Sequence, residues 1–159
     1  MCSASDDSTA RVWDFNEGIL LRNLEDRTMT KAVLSAQFLG TQGWHVFCVA
    51  TCGVDLTTRI FDMRDKEVVY KLEGHTSETV GKDFCELKGL PATGSDDGTI
   101  LIWDRRNFGR RMQTLDTQPH LGNNSQVKRV KFSPCGDYLA AATEPNTVLV
   151  YKVQQPRKP

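Results

Sequence analysis

The sequence predicts an all-β fold: a partial β-propeller of about three and a half blades, each a four-stranded antiparallel sheet. Two observations carry this reading. A short pattern returns four times, as Ala10-Arg11-Val12-Trp13-Asp14, Thr58-Arg59-Ile60-Phe61-Asp62, Ile100-Leu101-Ile102-Trp103-Asp104 and Val148-Leu149-Val150-Tyr151-Lys152, with aromatic positions 48, 42 and 48 residues apart. A period of about 40 to 45 residues closing on Trp-Asp marks four-stranded blades, which bury their apolar faces only by stacking on neighbours. The four segments are also rich in β-branched residues, which suits strands rather than helices.

Each repeat should run outer strand d, a loop, then strands a, b and c. Residues 1–25 form a blade stub, with the end of b at 3–5, c at 9–15 and d at 19–24. The second blade spans 26–73, with strands at 32–39, 46–52, 57–62 and 67–72. The third, 74–116, is the fullest. Gly74-His75 opens it, 79–87 and 90–95 are strands a and b, and Asp96-Asp97-Gly98 supplies tight hairpin chemistry. Strand c follows at 99–104 and d at 111–115. The last blade, 117–153, starts on strand 126–132, where Val127, Val130 and Phe132 alternate imperfectly with Lys128 and Lys131. Ser133-Pro134-Cys135-Gly136-Asp137 turns the chain into 138–143, Asn146 takes the hairpin position, and 147–153 is strand c. Residues 154–159 are a polar, proline-flanked tail. No helix is predicted.

The four c strands align position by position. One residue before the aromatic stand Val12, Ile60, Ile102 and Val150, and three before stand Ala10, Thr58, Ile100 and Val148. Those positions share one face of a strand and the aromatics take the other. Both faces should therefore be covered, as in a sheet held between two neighbours.

Composition narrows the function classes. Twenty basic residues balance twenty acidic ones among 159, so no net field favours nucleic acid as main ligand or an anionic membrane. The longest apolar run, Val46-Phe47-Cys48-Val49-Ala50, is too short to span a bilayer, and the first residues do not read as a signal peptide. Five cysteines (Cys2, Cys48, Cys52, Cys85, Cys135) are scattered, without a Cys-x-x-Cys pair, and His45, His75 and His120 are isolated from them. We expect neither metal nor cofactor, the cysteines serving as small core residues in a reducing compartment, cytoplasmic or nuclear. Asn123-Asn124-Ser125 fits a glycosylation acceptor only by chance in that setting.

On these motifs the chain resembles the WD-repeat family across essentially its whole length. Gly74-His75 followed 28 residues later by Trp103-Asp104, with Ser95-Asp96-Asp97-Gly98-Thr99 between, is the most specific match. The resemblance implies a buried hydrogen-bonded network of His75, Asp97, either Thr93 or Ser95, and Trp103. The physics agrees, since a buried imidazole and carboxylate must satisfy each other. A His near an Asp and a Ser also suits a hydrolase triad, but the Trp partner, the turn context and the repeat period favour the structural role. The second repeat keeps Asp55 without the His, and the fourth has neither turn Asp nor Trp-Asp. Those blades should be held mainly by packing.

In the family the last repeat stops after strand c, and the N-terminal segment supplies the outer strand of that blade. This chain ends in that way but begins inside a blade. It therefore reads as the C-terminal half of a longer propeller, the alternative being closure with a second copy or another propeller. Alone, it should expose the last blade's packing face and an unpaired sheet edge.

The function implied is a non-catalytic protein–protein interaction scaffold, because rigid sheets carrying variable loops suit recognition. On the face opened by the d–a loops, Ser77, Glu78 and Thr79 of the third repeat, with Gln126 and Lys128 of the fourth, are candidate partner contacts. A sharper alternative comes from Phe61-Asp62-Met63-Arg64 and Trp103-Asp104-Arg105-Arg106, which resemble the box by which substrate receptors dock on a cullin-type ubiquitin ligase adaptor. Arg64 and Arg106 would be the anchors. A subunit of an RNA-processing or signalling assembly is a further alternative. No phosphate-cradling loop, catalytic carboxylate motif or metal-ligand spacing points to an enzyme.

Overall fold

A computed structural model of the chain describes residues 1–40, 47–64, 67–85, 87–104, 107–122 and 125–154. Four antiparallel sheets follow one another along the chain. The first contains β1 (Cys2–Ala4), β2 (Ala10–Trp13) and β3 (Leu20–Leu24). The second contains β4 (Val33–Phe38), β5 (Cys48–Gly53), β6 (Thr58–Asp62) and β7 (Glu67–Leu72). The third contains β8 (Thr79–Cys85), β9 (Leu90–Ser95), β10 (Thr99–Asp104) and β11 (Asn107–Asp116), and the fourth β12 (Gln126–Phe132), β13 (Tyr138–Glu144) and β14 (Thr147–Lys152). Strands are hydrogen-bonded in chain order within every sheet, so each sheet is a simple meander.

The ladders slip at matching places. In β4, β8 and β12 the register shifts between Val33 and Ser35, Thr79 and Gly81, and Val127 and Arg129. Leu34, Val80 and Lys128 are thus the extra residues of three equivalent bulges, and a bulge reverses the alternation of side chains beyond it. This explains the imperfect pattern of β12: Val127 is buried before the bulge, Val130 and Phe132 after it. A second slip, toward the outer strand, falls directly before the aromatic residue at Val12/Trp13, Ile60/Phe61 and Ile102/Trp103.

The core lies between the sheets rather than inside any of them. Ala10, Val12 and Leu24 pack on Val33, Val49 and Phe61. Cys48, Ala50, Ile60 and Leu72 pack on Leu101 and Trp103. Ile100, Ile102 and Leu115 pack on Val127, Val130, Leu139 and Ala141. Each interface repeats one rule: residues one and three before an aromatic meet the aromatic-bearing face of the next sheet. Fully burying one such aliphatic side chain contributes about 1.5 to 3 kcal/mol. The third and fourth sheets approach closely through glycine, since a Cβ on Gly81 would lie 2.9 Å from the Arg129 Cα and one on Gly94 2.6 Å from a Val127 methyl.

The rule stops at the fourth sheet. Ile100 and Ile102 are 0% exposed, whereas their counterparts Val148 and Val150 are 65% and 66% exposed. Cover on both faces therefore stops at the last c strand, whose packing face is exposed as expected for the chain alone, and Trp13 at the opposite end is only half-buried.

Three smaller expectations are also corrected. One helical turn is present, α1 (Gln118–Leu121), with Pro119 in its first turn and the Gln118 amide donating to Asp116 Oδ1 at 2.9 Å. Four residues are too few to show helical periodicity in a sequence. Strand β8 ends at Cys85 rather than 87, and β11 begins at Asn107 rather than 111. Cys48, Cys52 and Cys85 are buried free thiols, but Cys2 is half-buried and Cys135 exposed in the turn after β12, so not all five are core residues. The predicted strand start at Val46 and most of the polar tail lie outside the described residues. No helix among the described residues is long and apolar enough to cross a membrane.

Candidate interaction surface

The turn between β9 and β10 is tied to the loop before β8 by one continuous network. Trp103 Nε1 donates to Thr93 Oγ1 at 3.0 Å. His75 Nε2 lies 2.9 Å from the same hydroxyl, and its Nδ1 lies 3.1 Å from Asp97 Oδ2. The donors run without conflict from the indole to the threonine, from the threonine hydroxyl to Nε2, and from Nδ1–H to the carboxylate. Asp97 also accepts from the Thr76 amide at 2.9 Å, the Thr99 amide at 2.8 Å and the Thr99 hydroxyl at 2.6 Å. Burial pushes its carboxyl up, but hydrogen bonds from His75, Thr99 and the two amides outweigh that and hold it well below the usual carboxylate range. Of the two strand candidates, Thr93 joins the imidazole to the indole. Ser95 instead donates to the Ser77 carbonyl at 3.0 Å and accepts from the Asp97 amide at 3.1 Å.

Register carries this arrangement to the other sheets. Ser3, Thr51, Thr93 and Ala141 stand opposite Arg11, Arg59, Leu101 and Leu149. Trp13 Nε1 donates to Ser3 Oγ at 2.9 Å, as Trp103 does to Thr93. In the second sheet Phe61 has no N–H to give, and the turn carboxylate Asp55 is met by Arg59 Nη1 at 2.6 Å. Arg59 is 4% exposed and donates through Nη2 to the Thr28 hydroxyl at 2.9 Å and the Thr28 carbonyl at 3.2 Å. The first sheet repeats the pairing with Asp7 and Arg11. The second sheet, expected to be held mainly by packing, thus adds a buried ion pair where its histidine is missing. Sequence reasoning passed over the signal, which is the spacing Asp-x-Thr-x-Arg at Asp7-Thr9-Arg11 and Asp55-Thr57-Arg59 against Asp97-Thr99-Leu101. Beside Arg59, the Thr28 hydroxyl first and then Lys71 at 3.2 Å overcome burial and hold the Asp26 carboxyl down at about 2.

The predicted partner face divides. Ser77 and Glu78 are half-buried, and the Glu78 carbonyl accepts from the Asp96 amide at 3.0 Å. Thr79 is 0% exposed at the start of β8. It cannot touch a partner from there: β8 starts at 79, as the sequence has it, and the side chain of this first strand residue is turned inward. Gln126 and Lys128 are half-buried, and Lys128 Nζ reaches both Asp96 oxygens at 3.0 and 3.1 Å. Asp96 thus links the loop before β8 to the start of β12, which brings four of the five predicted residues to one end of the third and fourth sheets.

Arg64 follows β6 with its side chain about half exposed. Its Nε lies 3.0 and 3.2 Å from the two Asp62 oxygens, and its guanidinium carbon 4.9 Å over the Phe47 ring. The hydrogen bonds from Arg64 lower the Asp62 carboxyl against the effect of burial. Arg106, its proposed companion, lies outside the described residues.

The first strands of three sheets, β4, β8 and β12, line a groove of about 590 Å³. The bulged residues Leu34, Val80 and Lys128 form its first layer, followed by Ser35, Gly81 and Arg129. Ala36, Lys82 and Val130 come next, and Gln37, Asp83 and Lys131 last. In that last layer the buried Asp83 accepts from Lys131 Nζ at 2.8 Å, the Phe132 amide at 2.8 Å and Gln37 Nε2 at 3.4 Å, stitching three sheets together. Lys82 Nζ donates to Ser35 Oγ at 2.8 Å and lies 4.0 Å from Cys52 Sγ. Burial pushes the lysine amine down and the Cys52 thiol up, and pushes Cys48 up to about 12. Burial thus disfavours the thiolate form of both, which suits small core residues rather than nucleophiles. Among the described residues no group of three or more His, Cys, Asp or Glu could hold a metal ion.

Comparison with known proteins agrees with this architecture. The family model "WD domain, G-beta repeat" matches residues 66–104 and 110–152. Nuclear distribution protein PAC1 of Arthroderma benhamiae is 29% identical over 162 residues, covering 96% of this chain and 33% of the relative. The U3 small nucleolar RNA-associated protein 21 homolog of Schizosaccharomyces pombe is 29% identical over 140 residues, covering 88% of this chain and 14% of the relative. Eukaryotic translation initiation factor 3 subunit I of Candida glabrata is 30% identical over 110 residues, covering 66% and 30% respectively. The chain spans a third or less of the length of these relatives. With repeats matched over more than half of its residues, on four stacked antiparallel sheets, the chain belongs to the WD-repeat family.

Proposed function

We propose that this protein is a non-catalytic scaffold that binds protein partners through the end of its third and fourth sheets, within a multi-protein assembly of the cytoplasm or nucleus. One observation carries the reading: the loop before β8, the β9–β10 turn and the start of β12 are cross-linked through Asp97, Asp96 and Lys128. Ser77, Glu78 and Gln126 are thereby held on a rigid base, and preorganised loops lose less entropy on binding. The names of the relatives, a nuclear distribution protein, a small nucleolar RNA-associated protein and a translation initiation factor subunit, support work inside an assembly.

The test is quantitative mass spectrometry of proteins that co-purify with the tagged protein. Ser77→Arg combined with Gln126→Arg should deplete specific partners about tenfold or more, since bulk and charge at an interface centre cost 1.4 kcal/mol or more. Recovery of an unchanged partner set would overturn this reading. Docking on a cullin-ligase adaptor rests on the Asp-x-Arg spacing alone, and the guanidinium of Arg64 is engaged by Asp62. That reading requires Arg64→Glu with Arg106→Glu to abolish adaptor recovery while leaving folding intact.

A further inference from the structure

We propose that the groove between β4, β8 and β12 receives an acidic segment of a protein partner, whose carboxylates pair with Lys82 and Arg129. The inference rests on the scaffold reading and names the chemistry of the partner.

Charge accounting within the groove leads to it. Four cations line the wall against a single carboxylate, Asp83. Lys131 is neutralised by Asp83, and Lys128 by Asp96 at 3.0 Å with Glu144 at 3.8 Å. Lys82 and Arg129 remain. Lys82 is half-buried and has a serine hydroxyl and a thiol beside its ammonium, and among the described residues neither cation has a carboxylate within ion-pair distance. Holding a cation partly out of water without a counter-charge is unfavourable, so a carboxylate delivered there gains charge-assisted hydrogen bonds at a site already desolvated.

The fold brings the two charges together. Gly81 lets β12 approach until the Arg129 Cα lies 2.9 Å from where a Cβ would stand, so Arg129 sits beside the strand that carries Lys82. The bulge in β12 makes Lys128 the extra residue, bound to Asp96, and leaves Arg129 exposed on the groove wall. At the mouth Leu34 is 40% exposed, which offers an apolar contact for the stem of an entering side chain. A volume of about 590 Å³ falls in the range of sites that enclose a few side chains.

The test uses the full protein and fluorescein-labelled hexaglutamate, followed by anisotropy. Hexaglutamate should bind with a salt-dependent affinity and hexaglutamine should not. Lys82→Gln with Arg129→Gln should weaken binding about tenfold or more, the value of one charge-assisted contact. Near-ultraviolet dichroism checks that the double variant is folded, and the exposed Arg129→Gln alone supplies the test if it is not, with a smaller loss in the same direction. The Ser77/Gln126 double variant should bind hexaglutamate as the parent does. That separates failure of the groove from failure of the scaffold reading, which would show as an unchanged partner set. Equal binding of hexaglutamate and hexaglutamine, unimpaired binding by the neutralised variants, or preference for oligouridylate over hexaglutamate would overturn the proposal.

Discussion

The second and third sheets place a carboxylate at the same position of the same turn and satisfy it by different chemistry. In the third, Asp97 meets an imidazole that arrives from the loop before the sheet, 22 residues earlier in the chain. In the second, Asp55 meets a guanidinium four residues later, from the adjoining strand itself. Each device also clamps the preceding loop, through the Thr76 amide in one case and the Thr28 carbonyl in the other. What is common to the two sheets is therefore a constraint, that the turn carboxylate must be paired and must tie down its neighbouring loop, rather than a particular residue. The two solutions differ in how much charge they bury. Arg59 brings a permanent cation into a site where it is 4% exposed, while the third sheet routes part of its network through neutral hydroxyl and indole groups.

That difference sets the expected sizes of effect. Arg59→Met removes the guanidinium from the Thr28 carbonyl and from Asp55, which retains the Thr57 amide at 3.4 Å, and breaking a buried pair from one side costs about 3 to 5 kcal/mol. Urea denaturation would measure it, and a loss below 1 kcal/mol would place Arg59 among ordinary surface charges. His75→Ala should cost less, about 1 to 3 kcal/mol, because Thr93 and Asp97 keep other partners. His120→Ala in the exposed turn of α1 serves as the control, expected within about 0.5 kcal/mol. Asp97→Asn sharpens the comparison through pH. The Asp97 carboxyl is depressed in the folded protein, so its stabilising contribution is present above the unfolded value of about 3.9 and is lost as pH falls through the folded one. The stability gap between the parent and Asp97→Asn should accordingly hold above about pH 4 and begin to narrow only as pH falls below it. The smallest effect belongs to the open end: Val150→Ala should cost under about 0.5 kcal/mol, against 2 to 5 for Ile102→Ala at the equivalent sealed position.

The c strands were legible in the sequence because their β-branched residues and aromatics repeat without interruption. Strands β4, β8 and β12 were harder, since a bulge in each breaks the alternation that identifies a strand. His75 was readable through its Gly-His context, but the choice between Thr93 and Ser95 was not. The two are two residues apart on β9 and share a face, so only the register against β10 distinguishes them. Arg59 was hidden for a different reason: a lone arginine in a strand looks like a solvated charge until the loop carrying Thr28 is seen to cover it. The start of β8 at Thr79 was legible, but its inward-facing side chain was not, because the bulge at Val80 breaks the alternation from which a buried face is read.

Double-mutant cycles in the two sheets test the central claim, that each sheet ties down its turn independently by its own pair. The cycles combine His75→Ala with Asp97→Asn, Arg59→Met with Asp55→Asn, and His75→Ala with Arg59→Met, each read by denaturant unfolding. Coupling of about 0.5 to 3 kcal/mol is expected within each of the first two pairs, and additivity within about 0.3 to 0.5 kcal/mol for the third. Additivity within either sheet, or coupling between His75 and Arg59 as large as that within the pairs, would contradict it.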